Sequence, residues 1–229
     1  MLSEIEYAAF FRYSVRGKSQ ASRQTKDVVN LLKQNKPLGG RPAAEKLVEW
    51  MASKRDQGIC DRRVFDYLEG SSILVPVPRS SPLKANSLWP AEEIAKAMVA
   101  QGWGRKIRRL LSRSTAVPKS AYSDPKQRQA QRHGETLEAT VDLWFTPSVI
   151  TLVDDIVTSG ATLVGAASRI KEAYPNAQVK CFALVQAWSW AEVDPVREMV
   201  YPCVDRIVYY PKTGKTFRYP EQPRGEQLT

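Results

Sequence analysis

The segment from Val149 to Val185 most constrains how this chain can fold. An apolar run, Val149–Val153, ends in Asp154-Asp155. Ile156 to Ser159 and Gly160 follow, and a helix is predicted from about Ala161–Thr162 to Ala173. A second apolar run, Val179–Val185, comes directly after. Two short apolar runs that bracket a helix read as a strand–helix–strand crossover, whose strands lie parallel. Parallel strands are buried on both faces and need helices on each side. The pattern therefore predicts an α/β fold with a mostly parallel sheet.

The rest of the chain extends this reading. Ile73–Val77 is a buried strand that Pro76 and Pro78 close into a loop. Pro90–Ala100 reads as a helix with Pro90 in its first turn. Upstream, helices are expected from about Ser22 (a candidate cap) to Gln34, and from Ala43 to Ala52. Ile207–Tyr210 reads as a last short strand before a loose tail. Residues 1–70 are expected to form a helical extension, 71–190 the core, and 191–229 a C-terminal extension. His133 reads as a loop residue and Cys181 as an inert strand residue, while Trp144, Trp188 and Trp190 could stack a base but read better as core. Tyr209, Tyr210 and Phe217 near Lys212 and Lys215 form a weaker aromatic patch.

Charge narrows the partners. Thirty-four Lys and Arg against 24 Asp and Glu leave a net +10, which favours an anionic partner. Much of the excess lies in 105–132, where nine Lys or Arg face the single acid Asp124. The second half of that stretch reads as a long exposed loop, and such loops are usually functional or disordered. The three cysteines are far apart and form no CxxC pair, which argues against a cysteine zinc site or a disulfide framework and fits a reducing cytoplasm. No apolar run approaches the length of a membrane span, and the acidic-then-aromatic start is no signal peptide. One histidine, His133, leaves little room for histidine-based catalysis.

The chemistry concentrates at the end of the Val149 strand. Two adjacent carboxylates stand where open parallel sheets bind ligands. The turn Thr158-Ser159-Gly160-Ala161-Thr162 then opens a helix, so backbone N–H groups, hydroxyls and the helix dipole suit a phosphate. The acids suit a diol, a divalent cation or a developing positive charge. Phosphate donors and diol acceptors a few residues apart suggest a ribose 5-phosphate.

Ile150–Thr162 resembles the phosphoribosyl pyrophosphate (PRPP) fingerprint of type I phosphoribosyltransferases, with Thr151 inside the apolar run and Ser159 for the usual second threonine as its departures. Ser72–Ser80, containing Val75-Pro76-Val77-Pro78-Arg79, resembles the first strand and pyrophosphate loop of the same superfamily, most like its ComF-type and amidophosphoribosyltransferase branches. Lys84–Trp89 departs from the Arg-Gly-X-Asn-Gln-like stretch of ComF-type proteins. The likeness covers about Ser72 to Gln186. It implies a type I phosphoribosyltransferase-like sheet with a hood from the flanks. It also implies a Mg²⁺-dependent transferase that moves a phosphoribosyl group from PRPP to a nitrogen acceptor, often as a homodimer. Asp154 and Asp155 would engage the ribose hydroxyls and hold Mg²⁺ partly through water. Thr158, Ser159, Gly160, Ala161 and Thr162 would cradle the 5-phosphate, and Arg79 and Ser80 the pyrophosphate. Arg113, Lys119, Arg128 and Arg132 are the loop cations that would close over the ligand. The alternative is a non-catalytic sensor of PRPP or a nucleotide, or a nucleic-acid-binding protein that uses the basic stretch 105–132.

Overall fold

A computed structural model describes residues 1–58, 62–70, 72–82, 87–116, 130–142, 144–188 and 199–220. It opens on strand β1 (Glu4–Ser14) and helix α1 (Gln20–Gln34). The small hairpin β2 (Pro37–Leu38) and β3 (Arg41–Pro42) leads to α2 (Ala43–Gln57) and α3 (Arg63–Leu68). Then come β4 (Ile73–Pro76), α4 (Pro90–Ala100), β5 (Lys106–Ile107) and β6 (Leu111–Arg113). The short helix α5 (Ala130–Glu135) and β7 (Leu137–Ala139) precede β8 (Val149–Val157), α6 (Ala161–Ala173) and β9 (Gln178–Trp188). The antiparallel pair β10 (Val200–Tyr210) and β11 (Lys215–Pro220) ends the described chain.

Seven strands form one sheet in the order β11-β10-β1-β9-β8-β4-β5. The run from β1 to β5 is parallel throughout, whereas β10 joins β1 and β11 joins β10 antiparallel. The protein is thus a mixed α/β fold with a mostly parallel sheet flanked by helices. One face packs Leu32, Leu47, Met51, Phe65 and Met98 from α1 to α4 over Phe10, Phe11 and Phe182. The other packs Leu163, Val164, Ala167 and Ile170 of α6 over Ile150, Leu152 and Ala183.

The flanks differ from the sequence expectation. β1 is a central strand, held between β9 and β10, and Tyr7, Ala8, Ala9, Phe10 and Phe11 are fully buried. Its middle, Tyr7–Phe11, is covered on both faces and does not alternate, so it does not announce itself as a half-exposed strand. The first 70 residues and the last 30 therefore both supply strands to the main sheet, which crosses the expected boundaries at 70/71 and 190/191. α1 begins at Gln20, two residues before Ser22, because the Ser19 hydroxyl accepts the Ser22 N–H and caps the helix. Ser22 itself is buried. α2 runs on to Gln57, and the expected short strand at Ile207–Tyr210 is the end of the longer β10.

Candidate functional site

Two connections diverge from the middle of the parallel sheet. β4 passes through α4 to β5 on one side, and β8 passes through α6 to β9 on the other. Their helices lie on opposite faces. β4 and β8 therefore flank a topological switch point, where the loops leaving the strands' carboxyl ends part and leave a crevice. Register places Pro76 opposite Val153, and the Val77 N–H donates to the Val153 carbonyl (2.8 Å). Arg79 and Ser80 thus leave β4 beside the point where Asp154 and Asp155 leave the core of β8.

β8 does not stop at the acids as hydropathy suggests. Asp154 pairs with Ala183, and pairing resumes at Ile156 with Val185 and Val157 with Gln186. Asp155 has no register partner, and its N–H turns back to Asp154 Oδ1 (2.9 Å). The Ile156 N–H likewise donates to Asp155 Oδ1 (2.9 Å). Both carboxylates are half-buried. Burial first, and then the negative charge of Asp155, push the Asp154 carboxyl well above the usual range, while the Arg113 guanidinium opposes the shift. On β1, burial and the charge of Asp155 raise the Tyr13 phenol. The two acids are thus sensed by groups from different parts of the fold.

The turn after β8 has the features of an anion cradle. Thr158 and Ser159 are exposed, and their hydroxyls take no partner among the described residues. Gly160 adopts φ 86°, the left-handed region, and a Cβ there would come within 2.4 Å of the Ile207 side chain. Only glycine fits that position. α6 then begins with no side-chain cap and no acid in its first turn, so its N-terminal N–H groups and positive dipole end are not already neutralised. Thr162 Oγ1 lies 3.4 Å from His133 Nδ1.

Arg113 stands on β6, at the foot of the connection that was expected to carry mobile cations. It is 6% exposed. Its Nε donates to the Arg79 carbonyl (2.6 Å), one Nη donates to Thr136 Oγ1, and the other Nη is buried without a hydrogen-bond partner. Burial lowers its proton affinity and the charge of Asp154 raises it. A buried guanidinium thus ties the ribbon β6–β7 to the β4 loop and lies near enough to Asp154 for the two charges to interact. Its position follows from Leu111 and Leu137, which seat the ribbon in the core. Of the other expected loop cations, Arg132 is exposed on α5, and Lys119 and Arg128 lie outside the described residues.

His133 sits on α5, buried rather than in a loop. Burial and the Arg113 charge push its pKa down to about 4, so the ring is neutral at ordinary pH. α5 reaches α6 because Gly165 leaves room: a Cβ there would meet the Gly134 nitrogen at 2.8 Å. The pair Gly134 and Gly165 was the sequence signal for this close crossing, and residue-type reading missed it. Cys181 is buried and its thiol is raised by burial, as expected of an inert strand residue. Trp144, expected in the core, is 97% exposed. Trp190 lies outside the described residues.

The site brings together two carboxylates, a hydroxyl-rich helix start, the Arg79 loop and a buried Arg113. Among the described residues no group of three or more His, Cys, Asp or Glu is placed to hold a metal by itself. An adjacent pair of carboxylates nevertheless fits Mg²⁺, which keeps several waters and takes its remaining ligands from substrate phosphates. Among the described residues no helix is long and apolar enough to cross a membrane. The fold is that of a mixed α/β protein whose parallel strands β4 and β8 flank a switch point, the place where open parallel sheets bind ligands. No protein-family model matches the sequence, and no curated protein matches it significantly.

Proposed function

We propose that the protein binds PRPP and transfers its phosphoribosyl group to a nitrogen acceptor, a base or an amine, with release of pyrophosphate. The observation that carries this reading is the meeting of the Asp154-Asp155 strand end, the Thr158–Thr162 turn and the Arg79 loop at one switch point. Asp154 and Asp155 accept hydrogen bonds from the ribose hydroxyls. Backbone N–H groups of Ser159 to Thr162, with the Thr158 and Ser159 hydroxyls, hold the 5-phosphate. Arg79, the backbone around Ser80 and the Arg113 guanidinium face the pyrophosphate. Mg²⁺ on the acidic pair would supply charge neutralisation to the leaving pyrophosphate.

In the reaction the bond from C1 to the pyrophosphate oxygen breaks, and its electron pair leaves with the pyrophosphate. A bond from C1 to the acceptor nitrogen forms, and the nitrogen loses a proton. The ring passes through an oxocarbenium-like state, and the negative charge of the acidic pair favours that cation. The protein's part is to position the two partners and stabilise charge, which needs no nucleophilic side chain and no titrating histidine.

The test is pyrophosphate release from PRPP with Mg²⁺ across a panel of purines, pyrimidines, ammonia and small amines. The expected result is acceptor-dependent release that falls at least about 100-fold in Asp154→Asn/Asp155→Asn, since each lost charged hydrogen bond is worth ~1.5–3 kcal/mol. PRPP binding without release for any acceptor would favour the non-catalytic sensor on the same site.

A further inference from the structure

The amino ends of β4 and β8 carry a second cluster, which the crevice at their other ends does not use. Edge strand β5 and its flanks place Arg105, Lys106 and Arg108 within four residues. None of the three has an acidic partner among the described residues, whereas neighbouring Arg109 is paired with Glu92. Lys106 and Arg108 are two apart and share a side of the strand. Their cationic groups lie 5.3 Å and 5.2 Å from the centre of the Phe145 ring. Beside Phe145, the Trp144 ring is 97% exposed. The nearest acid in sequence, Asp142, accepts the Trp144 N–H (3.1 Å) and so belongs to the turn. A cavity of about 200 Å³ opens between β5 and this turn, lined by Arg105, Lys106, Phe145, Thr146 and Ser148.

A single exposed hydrophobic residue needs no explanation. Here the exposed Trp144 immediately precedes Phe145, whose ring meets Lys106 and Arg108 and, with Arg105, lines the open cavity, and no acid among the described residues neutralises the three cations. Cations of one sign match phosphates, and a free aromatic face matches an unstacked base. A duplex keeps its base faces inside the stack and has no use for the ring. An acidic peptide would use the cations alone. We propose that single-stranded nucleic acid docks on the β5 edge, with Arg105, Lys106 and Arg108 on its phosphates and a base stacked on Trp144. The assignment is independent of what fills the crevice at the carboxyl ends.

The experiment is a salt titration of a fluorescein-labelled oligothymidylate binding to the full chain, read by anisotropy and by tryptophan quenching. Wild type is expected to bind the oligonucleotide more tightly than a duplex of equal length. In Arg105→Ala/Lys106→Ala/Arg108→Ala the slope of log affinity against log salt should fall by about 2, at ~0.7 per neutralised phosphate of a single strand. Trp144→Ala should weaken binding about tenfold with the salt slope unchanged, and Trp144→Phe should restore most of it. Asp154→Asn/Asp155→Asn should bind the oligonucleotide as wild type does. All substituted side chains at the edge are exposed or half-buried, and thermal melting checks that each variant is folded. No binding by wild type, equal binding of duplex, or binding unmoved by Trp144→Ala would each overturn the proposal.

Discussion

The same two strands, β4 and β8, end in opposite chemistries. At their carboxyl ends stand half-buried carboxylates, a glycine turn, an uncapped helix start and a buried guanidinium. At their amino ends stand exposed cations, a Phe145 ring met by Lys106 and Arg108, and a Trp144 almost wholly in solvent. The carboxyl end is shaped by packing: Gly160 against Ile207, Gly165 against Gly134, Arg113 beneath the Arg79 carbonyl. The amino-end cluster has little packing beyond the Phe145 ring. Packing that fixes polar groups in advance is what a small charged ligand requires. A surface whose cations are exposed and not neutralised by any acid among the described residues suits a long, adaptable polyanion. Substitutions at the two ends should therefore have different consequences.

The largest effect is expected at the turn. Gly160→Val places a branched side chain at φ 86° and into Ile207. Left-handed strain and overpacking together should cost about 4 kcal/mol. Chemical denaturation measures it, and PRPP binding should disappear with it.

The next largest is a pH effect at the same end. His133 titrates near 4 in the fold, against an ordinary value of about 6.5 when unfolded. Above the unfolded value both states are neutral and nothing is lost. As pH falls from about 6.5 to about 4, the unfolded chain takes up a proton that the fold refuses. Stability should drop by about 3 kcal/mol across that window and level off below it. His133→Gln should flatten this part of the curve, measured by urea midpoints between pH 7 and pH 4. An unchanged slope would remove the histidine from the buried cluster.

Smaller still is the cap of α1. Ser19→Ala removes the side-chain acceptor of the Ser22 N–H and should cost about 1 kcal/mol in a thermal melt. The smallest effect belongs to the amino end. Trp144→Ala should change stability by no more than about 0.5 kcal/mol, because the ring is almost wholly in solvent. A large destabilisation there would collapse the contrast between a packed end and an open one.

The parallel centre was legible because its signals are local. α4 and α6 have the bounds that their apolar spacing and Pro90 or Gly160 predicted. The acids, turn and helix of β8–α6 follow one another in sequence and remain together in space. The antiparallel flank was not legible, because β1 pairs with β10 nearly two hundred residues away. Nor does hydropathy see that β8 continues past Asp155, since backbone pairing with β9 does not depend on side-chain polarity. Arg113 reads in sequence as one cation among nine in a basic stretch. Only the ribbon β6–β7 separates it from its exposed neighbours and buries it within reach of the Asp154 charge. Trp144 was misplaced for the opposite reason: a large aromatic residue suggests core, and nothing local reveals a ring left in solvent.

The central assignment rests on the acidic pair at the switch point. Its most direct test is calorimetric titration of PRPP with Mg²⁺ into the wild-type protein and into Asp154→Asn/Asp155→Asn. Micromolar binding by the wild type, lost in the double variant while the fold persists, is the expected result. No heat of binding with the wild type, or equal binding by both proteins, would contradict the assignment of the crevice to PRPP.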